Sequence, residues 1–217
     1  IAQDAATSPN IGSSPGGAIA TDVQNVSGYP ASPATYAIGA TLSGPYNVGA
    51  GGDFATLTEA VTSYNNACLT NAVTFLLTDA DYSIAETFPI VINSNSFASA
   101  SNTLTIKPAT GISPLITGST TTGNGLIKLA GADFITIDGD NGSGMRNLTI
   151  ENTSTSTNTT AIWLSSLGAG AGATNNTIKN AIAMAGSNTV TSTFGIYVGG
   201  TTISTTATGN DNDNVTI

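Results

Sequence analysis

Hydrophobic positions along this chain follow two periods. Between Thr56 and Asn65 they recur as in a helix, with Leu57, Ala60, Val61 and Tyr64 at i, i+3, i+4 and i+7 on one face. Thr56 and Glu59 have capping-box spacing, in which hydroxyl and carboxylate satisfy free amides of the first turn, and Asn65 and Asn66 suit a stop. The pattern predicts a helix over 56–65. Downstream the period drops to two, and apolar residues alternate with Thr, Asn or charged ones in short runs broken by Gly, Asn and Ser. These runs are VTFLLT from Val73, FPIVIN from Phe88, NTLTIK from Asn102, GLIKLAG from Gly125, FITIDG from Phe134, NLTIEN from Asn147, AIWLSS from Ala161, NTIKNA from Asn176, FGIYVGG from Phe194 and NVTI from Asn214. Each predicts a short strand with one apolar face.

The first 45 residues lack either period. Pro9, Pro15, Pro30, Pro33 and Pro45 are scattered among Gly, Ser and Ala, as in a linker, so residues 1–45 read as an irregular leader and 46–217 as one domain.

The strands also resemble one another. LIKL, AIWL and GIYV start at Leu126, Ala161 and Gly195, 35 and 34 residues apart. This alignment places Ile127, Ile162 and Ile196 at one position and Leu129, Leu164 and Val198 at another. A second alignment joins NLTIEN, NNTIKN and DNVTI, equating Asn147, Asn175 and Asn214, then Thr149, Thr177 and Thr216, at spacings of 28 and 39. Strands recurring at a near-constant interval with stretchable loops describe a coil whose turns stack in parallel. Inward Ile, Leu and Val then form columns along the axis, and a recurring Asn can form a ladder of side-chain amides at the bend. The helix covers the open end of the first turn with Leu57, Val61 and Tyr64; no equivalent cap precedes Ile217, so the coil is expected to continue beyond it.

The order of a short strand YNVG, a Gly-rich turn, the helix GDFATLTEAV and then FITIDG and NLTIEN resembles the right-handed parallel β-helix superfamily of pectin lyases and pectinesterases. GDFATLTEAV is similar to the opening segment of pectinesterases. The Thr- and Asn-rich chain as a whole is similar to the β-helical region of large secreted surface proteins exported by the type nine system. The likeness spans about Tyr46 to Ile217. It implies a fold, a secreted or cell-surface location and contact with secretion machinery, but no activity, because the shared motif is a cap and not a catalytic centre.

Composition narrows the partners. Only 8% of the residues are charged and 40% are hydrophobic, enough apolar surface to fold, with hydroxyls and amides solvating the outside. Lys107, Lys128, Arg146 and Lys179 are the only cations against a net charge of −9, which argues against nucleic acid and anionic membranes as partners. No apolar run approaches the ~20 residues of a membrane helix. Cys68 is the only cysteine and the chain has no histidine, so Cys68 is read as a small buried hydrophobe and not as an activated nucleophile.

Three constellations carry candidate chemistry. ADFITIDG resembles the pectinesterase catalytic strand at Asp133, without the neighbouring Gln residues that family uses. DGDNGSGMR offers Asp138, Asp140 and Asn141 as oxygen ligands for Ca²⁺, with Arg146 as a base for a polysaccharide lyase. In the first alignment, alternation sends Lys128, Trp163 and Tyr197 outward at one position, a flat exposed ladder suited to sugar rings or protein partners. Threonine arrays on flat β-helices can bind ice, but TSTSTNTTA and TTISTTATG fall in loops of unequal length.

The expectation is a right-handed parallel β-helix with an N-terminal capping helix. Its leading function is a non-catalytic extracellular module for adhesion or contact with polysaccharide or another cell-surface ligand, through Lys128, Trp163 and Tyr197. The alternatives are a carbohydrate-active enzyme working through Asp133, Asp138, Asp140 and Arg146, and a structural spacer or secretion cargo without a ligand.

Overall fold

The computed structural model describes residues 41–186, 190, 192–206 and 211–217; the leader through residue 40 lies outside the described residues. The chain runs β1 (Thr41–Val48), α1 (Leu57–Asn66), β2 (Cys68–Leu77), β3 (Asp81–Tyr82), β4 (Ile90–Asn93), β5 (Leu104–Pro108), β6 (Leu115–Gly118), β7 (Gly125–Ala130), β8 (Ile135–Asp138), β9 (Leu148–Asn152), β10 (Thr159–Ser165), β11 (Thr177–Lys179), β12 (Ala181–Ala185) and β13 (Thr193–Gly199). The strands form three parallel sheets, ordered β1-β2-β5-β8-β11 (sheet A), β3-β6-β9-β12 (sheet B) and β4-β7-β10-β13 (sheet C). Each turn of the coil therefore lays one strand in A, one in B and one in C. Four such turns stack between β1 and a bridge from Thr177 to Thr216 that reopens sheet A. This is an all-β parallel β-helix.

Alternation builds the core. Phe75, Ile106, Ile137 and Ile178 form one inward column in sheet A, and Ile90, Ile127, Ile162 and Ile196 one in sheet C. All but Ile196 are buried, and each buried aliphatic side chain contributes about 1.5–3 kcal/mol. Sheet B carries Tyr82, Ile116, Ile150 and Ala183.

The helix closes the first turn as expected. Thr56 caps it, accepting from the Glu59 N–H, while Glu59 accepts from Ala55, and Leu57, Ala60, Val61 and Tyr64 are buried. Two loop residues fix its ends. The Glu86 carboxylate accepts from the Leu57 and Thr58 N–H groups, placing negative charge at the positive helix terminus, and the Asn95 amide donates to the Tyr64 and Ala67 carbonyls. Asn65 supplies a substitute strand: its amide donates to Val91 O and accepts from Asn93 N, pairing the edge of β4.

Four expectations need correction. β1 starts at Thr41, so Thr41–Pro45 belong to sheet A and not to the leader; a register shift at Leu42/Gly44 and an edge position accommodate Gly44 and Pro45. In the second alignment Thr177 does pair with Thr216, but Thr149 pairs with Ile182 in sheet B, and the true partner of Thr177 is Thr136 in FITIDG. The amide ladder is correspondingly shorter, with Asn214 Nδ2 donating to Asn175 Oδ1 at 3.1 Å and Asn147 elsewhere. Cys68 is only half-buried, opposite Thr41 at the outer start of β2.

Burial leaves the Tyr64 hydroxyl without a hydrogen-bond partner among the described residues. Burial, and then the Asp133 charge, push its pKa up to about 12. The folded protein therefore holds Tyr64 neutral where the unfolded chain ionises it, near pH 10. Its contribution to stability is complete below pH 10 and falls by about 1.4 kcal/mol per pH unit as pH rises from 10 towards 12. Tyr64→Phe is expected to flatten part of this alkaline loss and to leave stability at pH 7 unchanged or raised by about 1 kcal/mol, since it removes an unpaired buried group. Urea midpoints from pH 7 to 11 for both proteins check this. The remaining slope includes Tyr82, which burial also raises.

Candidate functional site

Sheet C aligns the predicted ladder in register: Trp163 pairs with Lys128 on one side and with Tyr197 on the other, and Val91 extends the row. The ladder is not the flat exposed platform expected. Trp163 is only 1% exposed, and its ring meets that of Tyr197 at 66° with centroids 6.4 Å apart. Lys128 lies over the indole with Nζ 3.9 Å from the ring centroid, and desolvation lowers its pKa. Gly125 leaves the space beside the indole; a Cβ there would stand 3.0 Å from that of Trp163. Tyr197 is held by the loop that follows β13, donating to Ser204 O and accepting from Ser204 N, and Phe194 packs 5.3 Å from it. Outward alternation was read correctly, but side chains and a returning loop fold over the row. The indole is buried packing, with half-exposed Lys128 and Tyr197 at its rim.

The acidic loop closes on itself. Asp138 uses one oxygen for the Asp140 N–H and the Asn180 amide, and the other for Lys179 at 3.3 Å. Burial pushes its pKa upward, but these three partners outweigh burial and hold the carboxyl below its ordinary value. Asp140 accepts from the Gly142 and Gly144 N–H groups, and Asn141 accepts from Ser143 N while donating to Ile112 O. Asp138, Asp140 and Asn141 thus satisfy the turn's own backbone. This arrangement does not fit Ca²⁺, which takes six to eight oxygens. Among the described residues no group of three His, Cys, Asp or Glu is placed to hold a metal.

Asp133 stands apart from that loop. It precedes β8 while Asp138 ends it, roughly 16 Å away along extended strand. Its Oδ1 accepts from the N–H and hydroxyl of Thr174 in the next turn. It lines a cleft of about 380 Å³ with Ser94, Gly131, Thr174, Asp211 and Asp213, where loops leaving sheet C stack. Asp138, Asp140 and exposed Arg146 do not line it, so the four residues of the enzyme alternative are not assembled.

Carboxylates act as braces throughout. Asp53, Glu59, Asp79, Glu86, Asp133, Asp138, Asp140 and Asp211 each accept at least one backbone N–H. In a chain with few charges, most acids satisfy turn amides that would otherwise be left unpaired.

The surface that the sequence reading missed is the outer face of sheet A. Thr74, Thr105, Thr136, Thr177 and Thr216 lie in register on successive strands. Neighbouring parallel strands are ~4.8 Å apart, so these residues make a straight row of hydroxyls along the coil. Thr74, Thr105, Thr136 and Thr177 are half-buried and Thr216 is exposed, and none of their hydroxyls bonds to another described residue. Beside them lie Leu76 and Lys107, paired in register, and the Asp138–Lys179 ion pair. The signal was present as the words LTIK, ITID, NTIK and VTI, but their threonines stand at 105, 136, 177 and 216, too unevenly spaced to show as a period.

Comparison of the chain with protein-family models, with curated proteins and with solved structures finds no match.

Proposed function

We propose that this chain is a non-catalytic, extracellular β-helical module that contacts glycan or another cell-surface ligand through the outer face of sheet A. The observation that carries this reading is the in-register row of threonine hydroxyls, unpartnered within the described residues on a parallel sheet. Hydroxyls that both donate and accept suit polymers whose own surface is hydroxyl. The engagement of the acids as braces supports a role without catalysis, and a surface solvated by Thr, Ser and Asn supports the extracellular setting. The strand, Gly-rich turn and capping helix support kinship with pectin lyase-like proteins and a pectinesterase-like cap. The Thr- and Asn-rich coil supports display by the type nine secretion system, whose machinery would then be a partner.

A glycan array tests the reading. The triple variant Thr105→Val, Thr136→Val, Thr177→Val keeps β-branched shape and removes three hydroxyls, and it is expected to lose tenfold or more in affinity, at about 0.5–1.5 kcal/mol per lost hydrogen bond. Signal from the native protein that survives in the variant removes the threonine face from the reading. Absence of signal from the native protein on every glycan removes glycan as the ligand and leaves a non-glycan surface partner or the structural spacer.

A further inference from the structure

We draw no further inference here: the strongest candidate, the surface of β12 and β13 where Ile182, Met184 and Val198 are exposed, is an apolar patch, and nothing in the structure shows what covers it.

Discussion

Trp163→Ala is expected to cost about 3–5 kcal/mol of stability, the range for emptying a buried indole site. Trp163 is among the largest fully buried side chains, and it packs outside the coil, between Lys128 and Tyr197. Alanine would lose the transfer energy of the ring, leave a void and remove the face on which the Lys128 ammonium rests. Trp163→Phe should cost far less, about 1 kcal/mol, because it keeps an aromatic face and deletes an indole N–H that has no acceptor among the described residues. Urea denaturation of the three proteins is the measurement. A loss below about 1 kcal/mol for alanine would mean that the indole is not packed in solution. Because this is the chain's only tryptophan, its fluorescence follows the same site without a label.

The second large effect lies at Gly139, in the turn from sheet A to sheet B. A Cβ at this position would stand 1.8 Å from the carbonyl oxygen of Asn180, in the corresponding turn one level further along. Both groups are fixed by stacking: Gly139 donates to Lys179 O and accepts from Asn147 N, and the Asn180 amide is tied to Asp138. The obstacle is backbone, with no flexible side chain to swing away, so two levels must separate locally. Gly139→Ala is expected to destabilise by about 3 kcal/mol, the upper end for overpacking. Gly144→Ala is the control. Gly144 has φ of +72° and open space around it, so alanine there carries only the left-handed backbone cost of about 1 kcal/mol. Equal midpoint shifts for the two variants would show that turn contact does not set the spacing of the coil.

The parallel coil was legible in the sequence because sheet C repeats almost evenly. LIKL, AIWL and GIYV sit 35 and 34 residues apart, and the structure pairs them residue for residue as aligned. Sheet B was nearly invisible: β3 has two residues, β6 four, and β12 reads AIAMA, with little alternation to mark it. Its one clear strand, NLTIEN, carries the same Thr-Ile word as the strands of sheet A, which is why it was aligned with them. Local pattern shows that a residue faces outward, but not what lies over it. Trp163 was outward and buried, while four threonines of sheet A were outward and half-buried and Thr216 exposed, and loop packing decides between these outcomes.

The capped end of the coil gives its unfolding a fixed point. At one end α1 seats four buried side chains on the first turn, Glu86 and Asn95 fix both helix termini, and Asn65 pairs the edge of β4. Stacked repeats lose structure by nearest-neighbour steps, so a level tied down on its outer side holds the levels stacked on it. The helix therefore works as an anchor as well as a lid: among the described turns, those nearest α1 are the last to exchange their amides with solvent.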